Sequence, residues 1–233
     1  MNNQKLTFFN SLPFANFKQN TKPHESNIFM SLKTTVKFNA VNNLSDARYG
    51  AGMGVNLLGF CLDIDRPKSI DLAKLGAIAN WVAGVQIVFE FETFNTDIFE
   101  QARQVAVPHF VQVADIEDWD LLEKTALPII YKIKFDPEVN TLTELMTNSP
   151  ASYVLVEANA DVDLMQYLEE LTLLCTTKKI CLSWGIDKEN INTILDQICP
   201  WAIAIEGGEE DRLGIKSFDE LSEILELIEE EEL

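Results

Sequence analysis

The chain is poor in the residues from which metal centres and disulfide frameworks are built. It has two histidines, His24 and His109, far apart in sequence, and four cysteines, Cys61, Cys175, Cys181 and Cys199, none of them in a CxxC spacing. That leaves no ligand set for zinc, and neither a metal nor a cofactor is expected. Cys61 and Cys181 lie within apolar runs and read as small buried hydrophobes, which fits a reducing cytoplasm. No stretch of some 18 apolar residues occurs, so a membrane-spanning helix is not expected. Basic residues are scarce as well: 18 Lys and Arg stand against 37 Asp and Glu, a net charge of −19. Such a surface repels nucleic acid and anionic membranes, and reads most simply as a solvated, solubilising exterior.

The charge is unevenly placed. Residues 1–33 carry Lys5, Lys18, Lys22 and Lys33 against Glu25, a net of +3, so the remainder holds −22. This first segment is rich in Asn, Lys and Phe and has no sustained period. It contains no Arg and lacks the compact apolar stretch and cleavage site of a secretory signal. It reads as a disordered N-terminal extension or an over-called start, with Met30 as the initiator. Residues 34–233 read as one domain.

From residue 34 onward, β-branched runs alternate with segments of helical period. The strands fall at 34–39, 56–62, 84–90, 109–113, 128–134, 152–157, 178–183 and 201–206. Helices are expected near 44–53, 70–80, 95–105, 117–125, 140–147, 162–175, 188–197 and 217–231. The last carries one apolar stripe of Phe218, Leu221, Ile224, Leu225 and Ile228. Eight strand–helix units in about 200 residues predict an α/β fold, a (βα)8 TIM barrel. The competing open, doubly wound sheet would normally place a glycine-rich phosphate loop after its first strand, and none is present. In a barrel the functional face is formed by the loops after the strands. The polar residues there are Asn39, Asp63, Asp65, Glu90, Glu92, Asp115, Lys132, Lys134, Glu157, Ser183 and Glu206.

Motifs at both ends of this region carry a family resemblance. Lys37-Phe38-Asn39-Ala40-Val41-Asn42 is followed by Asp46-Ala47, Gly59-Phe60 and Arg66-Pro67-Lys68. Near the other end stand Trp184-Gly185-Ile186-Asp187-Lys188-Glu189-Asn190, then Glu206-Gly207-Gly208-Glu209-Glu210 and Leu213-Gly214-Ile215-Lys216. In order and spacing these resemble the Lys-Ile-Cys-Gly-Leu-Thr, Asp-Ala, Gly-Phe, Ser-Pro-Arg, Gly-Gly-Leu-x-x-Glu-Asn, Ser-Ser-Gly-Val-Glu and Pro-Gly-x-Lys motifs of phosphoribosylanthranilate isomerase, a barrel enzyme of tryptophan biosynthesis. The resemblance spans residues 34–230 and is thin between the third and sixth strands. It implies an Amadori rearrangement in which a cysteine after strand one is the general base and an aspartate after strand six the general acid.

The departures fall on that machinery. The base position is Asn39, and an amide has no proton-accepting form of useful basicity at neutral pH. The acid position is Glu157, followed by Ala158-Asn159-Ala160-Asp161 in place of a glycine-threonine-glycine loop. The arginine for the substrate carboxylate becomes Lys68, which keeps the charge and loses the bidentate fork. Gln112 matches a family glutamine on strand four, but the His-Gly after it is Ala114-Asp115. In the phosphate cradle, Gly185, Gly207 and Gly208 still permit close backbone approach. Trp184 fills space that the family leaves to glycine, and Glu206 sets an acid beside the expected dianion. Like unit charges about 5 Å apart repel by roughly 3 kcal/mol at an effective dielectric near 20.

Each of these residues also has a plainer reading. Asn39 can tie neighbouring strand ends together, and Glu157 can be a structural acid paired with Lys132 or Lys134. Asp63, Asp65 and Asp115 come from different loops and lack the spacing of a cation site. Three functions follow: a divergent paralogue or pseudoenzyme that has lost the isomerisation and takes a small ligand, a phosphosugar among the candidates; a working isomerase with Glu157 as acid; or changed chemistry on Glu157 with Lys132 or Lys134.

Overall fold

The structure is a computed structural model that describes residues 31–115, 119–139, 141–147, 150–206, 210–212, 215–216 and 218–230. Its elements run β1 (Thr35–Asn39), α1 (Leu44–Gly52), β2 (Leu57–Cys61), α2 (Leu72–Trp81), β3 (Gln86–Thr93), α3 (Thr96–Ala102), β4 (Phe110–Asp115), α4 (Trp119–Glu123), β5 (Ile129–Phe135) and α5 (Leu142–Thr147). They continue with β6 (Tyr153–Ala158), a 3-10 turn at Leu164–Tyr167 leading into α6 (Leu168–Cys175), β7 (Lys179–Leu182), α7 (Ile191–Gln197) and β8 (Ala202–Glu206). A hairpin of β9 (Glu210–Arg212) and β10 (Ile215–Lys216) precedes α8 (Asp219–Leu227). Strands β1 to β8 pair in parallel and close on one another through β1 and β8, giving the expected eight-stranded barrel. No helix among the described residues is long and apolar enough to cross a membrane.

Several helices start where a side chain replaces a missing backbone partner. The carboxamides of Asn43 and Asn95 and the carboxylate of Asp71 accept the N–H groups of Asp46, Ile98 and Lys74. Such caps satisfy donors that the first helical turn leaves open. Two differences from the sequence reading lie at the chain ends. The last helix stops at Leu227 rather than continuing through the acidic tail. Glu229 instead bridges Leu32, Glu230 N–H donates to Ser31 C=O, and Lys33 N–H donates to Ile228 C=O. Residues 31–33 therefore belong to the folded unit, and only residues 1–30 of the expected extension lie outside the described residues. The short hairpin β9–β10 has no period long enough to announce itself in the sequence.

Alternation along the strands sorts side chains into two cores. Val36, Phe38, Leu58, Phe60, Phe89 and Val111 face outward into the layer beneath the helices. The opposite parity fills the lumen with Leu57, Val88, Phe110, Ile130, Leu155, Cys181, Ala202 and Ala204. Three rings close its lower end, where the strands begin. Tyr153 lies with its ring centroid 4.6 Å from that of Trp201 and 5.4 Å from that of Phe110.

Strand β1 contributes a cation to this lumen. Lys37, in register with Leu57 on one side and Ala204 on the other, is 0% exposed. Its ammonium is ion-paired with Glu90 of β3, itself buried, across the intervening strand β2. That contact is possible because β2 presents Gly59 at the crossing. A Cβ there would sit 1.9 Å from Glu90 Oε1 and 2.8 Å from Lys37 Nζ. A buried charge stripped of its partner is far more costly than the pair is stabilising. Lys37→Met alone should therefore lose about 3–5 kcal/mol, and Lys37→Met combined with Glu90→Gln should recover most of that. Urea denaturation of the three proteins measures both quantities.

Candidate functional site at the barrel mouth

The buried pair reaches upward into the mouth. Lys37 also donates to Asn39 Oδ1, and Asn39 Nδ2 donates to Ser183 Oγ at 3.0 Å. Asn39 thus ties the end of β1 to the residue after β7, past the small Ala204 of β8. Its amide is engaged on both sides. Glu90 uses its second oxygen to accept the N–H of Ala40 at 3.0 Å. Ala40 has φ +47°, a left-handed conformation that glycine adopts freely and alanine does not. The family motif has glycine at this point, so the carboxylate of Glu90 helps hold a turn that the residue itself disfavours.

Of the residues expected from the sequence, Glu157 meets Lys132, with Oε1 and Nζ 3.5 Å apart. The side chain of Glu157 is about one-third exposed, at 34%. Lys68, on the loop after β2, is ion-paired with Glu206 at the end of β8. The cation expected at a substrate carboxylate therefore spends its charge on the acid expected beside a phosphate. Both partners are exposed, so the pair adds at most about 1 kcal/mol. Arg66 pairs in the same way with Glu92 at 2.9 Å. Trp184 is buried in an aromatic cluster, its centroid 6.3 Å from Phe135, and its Nε1 has no partner among the described residues. Gly185 follows with φ +61° and accepts from Asn190 Nδ2 through its carbonyl. Gly207 and Gly208 lie outside the described residues. Gln112 is buried in the lumen, in register with Glu90 and Ile130, and its Oε1 has no partner among the described residues.

Sequence reasoning placed Glu90, Ser183 and Asp63 among many strand-end candidates and missed that Lys37 and Gly59 build the site with them. The available signal was the polar parity Thr35, Lys37, Asn39 against apolar Val36 and Phe38. The carboxyl of Asp63, after β2, is held above the usual carboxylate range chiefly by burial. The N–H of Glu92, which donates to Asp63 Oδ2 at 2.6 Å, and the charges of Arg66 and Lys132 oppose that rise. Cys181 is fully buried, which pushes its thiol up to about 12 and makes it inert. Cys61, expected to be buried, is only half-buried because it ends its strand at the mouth. Among the described residues no cluster of His, Cys, Asp and Glu could hold a metal ion.

Solved structures supply the comparison. Phosphoribosylanthranilate isomerase from Thermus thermophilus superposes with a TM-score of 0.66 at 23% identity, covering 83% of this chain and 97% of that one. The chain has the fold of phosphoribosylanthranilate isomerase. The enzyme from Thermotoga maritima gives a TM-score of 0.68 at 18% identity, with the same two coverages. A further phosphoribosylanthranilate isomerase structure, in complex with reduced 1-(o-carboxyphenylamino)-1-deoxyribulose 5-phosphate, gives 0.64 at 20% identity, again over 83% and 97%. No protein-family model matches the chain, and no curated protein matches it.

Two measurements follow from this geometry. Ala40→Gly should raise stability by about 1 kcal/mol by relieving the left-handed alanine, read as a higher urea midpoint at unchanged slope. Asp63→Asn tests the raised carboxyl. A folded pKa above the unfolded one favours the fold fully below pH 3.8, and that contribution fades as pH rises through the folded value. The stability of the Asp63→Asn variant relative to the parent should therefore increase from pH 3 to pH 7, and NMR of the parent should show the Asp63 carboxyl titrating over the same range.

Proposed function

We propose that this barrel is a divergent relative of phosphoribosylanthranilate isomerase that no longer performs the Amadori rearrangement and whose mouth serves binding of a small molecule. The single observation that carries this reading is Asn39. At the base position stands an amide held by Lys37 on one side and Ser183 on the other. Glu90, the carboxylate that shares the Lys37 ammonium with Asn39, is already engaged by Lys37 and by the N–H of Ala40. Among the described residues no group there is left to take a proton from the substrate, a loss worth on the order of 10²–10⁴ in rate.

The remaining positions support the same conclusion. Glu157, the acid position, lies against Lys132, and Lys68 lies against Glu206. The ligand-bound isomerase takes a phosphorylated sugar with a carboxyphenyl group, whereas here the lysine at the expected carboxylate position is already paired with Glu206, the acid that the phosphate end of such a ligand would meet. The four free cysteines agree with a reducing, cytoplasmic setting. One observation favours changed chemistry instead: Lys132 and Glu157 place an amine and a carboxylate side by side, with Lys134 exposed on the same face of β5. Borohydride trapping of a small aldehyde on Lys132 or Lys134 would select that alternative.

The decisive test is turnover of N-(5′-phosphoribosyl)anthranilate by the full chain, alongside rescue of a tryptophan auxotroph lacking the isomerase. No rescue is expected even at high expression. Rescue, or turnover within about tenfold of a working isomerase, would overturn the proposal.

A further inference from the structure

The middle of the mouth is richer in acceptors than in donors, and one acceptor is orphaned. Gln112 is only 5% exposed, projects into the lumen above Phe110, and has no partner for its Oε1 among the described residues. A buried carbonyl without a donor is costly, so such an atom marks a place where something else donates. Along the same wall, β5 sets Lys132 between Gln112 on β4 and Glu157 on β6. Among the described residues Lys132 is the cation paired with Glu157, and Asp63 feels its charge as well. Glu157 is thus answered by Lys132, and Asp63 by the charges of Arg66 and Lys132, whereas the Gln112 carbonyl has no donor among the described residues. Around this centre the body of the chain carries −22, as set out above, so the long-range field also favours an approaching cation.

We propose that the barrel mouth binds a small amino polyol, received by Gln112 Oε1 and the Glu157 carboxylate through its ammonium and hydroxyl donors, in preference to a phosphorylated sugar. The proposal rests on the reading of this mouth as a binding site that has lost the isomerisation, and it names the class of ligand. An ammonium is drawn in by the acidic body of the chain and finds a carboxylate in Glu157, which is one-third exposed. A hydroxyl donates to the Gln112 carbonyl, which no described side chain reaches. A phosphate brings neither a donor nor a compensating charge.

The test uses the full chain and three matched probes, 1-amino-1-deoxyribitol, ribitol and ribose 5-phosphate, followed by thermal shift and calorimetric titration. The amine should raise the melting temperature and give a saturable heat, with ribitol weaker and ribose 5-phosphate without effect. Glu157→Gln, at a partly exposed position that tolerates substitution, should weaken binding of the amine about tenfold or more. Gln112→Met should do the same without loss of the folded signal. Stabilisation by ribose 5-phosphate but not by the amine, no response to any probe, or amine binding unchanged in both variants would each overturn the proposal. Turnover of the isomerase substrate would sink the functional reading itself, whereas failure of the amine without turnover sinks only the ligand class.

Discussion

The ion pair between Lys37 and Glu90 is the contact around which the upper half of the barrel is arranged. A fully buried ammonium can be tolerated only if a carboxylate and further acceptors surround it, and each requirement fixes another residue. The carboxylate must cross a strand, so β2 carries Gly59 where any side chain would intrude. The second carboxylate oxygen must be satisfied, and it holds the turn at Ala40. The ammonium needs another acceptor, which Asn39 provides while its amide group reaches Ser183. Strands β1 and β3 and the end of β7 are thereby joined by one connected polar network. Networks of this type are stabilising only when every member is satisfied, which makes the identities of its members interdependent.

That interdependence changes how the residue at the base position should be viewed. Taken alone, an asparagine in place of a cysteine is a lost functional group. Within the network it is a structural member, because it accepts from the very lysine that would otherwise have one acceptor fewer. The surface pairs at the rim differ in kind. Lys68 with Glu206 and Arg66 with Glu92 are exposed, screened by salt and weak. They alter what an incoming ligand senses more than they alter stability. The mouth therefore has a buried, mutually bonded floor and an exposed rim of weak ion pairs.

Much of the fold was legible in the sequence because strands and helices carry different periods, and eight alternations of the two leave few architectures open. All eight barrel strands lie where the pattern of Val, Ile and Phe puts them, with β3 running on to Thr93. The site was legible only in part. Asn39, Glu157, Lys68 and Glu206 stand out through their motifs, but their partners belong to other strands. Lys37 beside Glu90, and Gly59 between them, become neighbours only when the sheet closes and its register is set. The left-handed Ala40 is likewise invisible, since nothing local to alanine signals positive φ. The acidic end of α8 misled for a related reason. Its residues are good helix formers, yet pairing with Leu32 and Ser31 overrides that propensity.

The three rings of Phe110, Tyr153 and Trp201 have a consequence for traffic. They form a stopper across the end of the lumen where the strands begin, and the apolar layer of Leu57, Val88, Ile130 and Leu155 lies directly above it. The barrel is a vessel with a sealed base, so a molecule that reaches Gln112 must arrive and depart by the same opening. For the proposed ligand, entry and exit would share one route, past the exposed ion pairs of the rim.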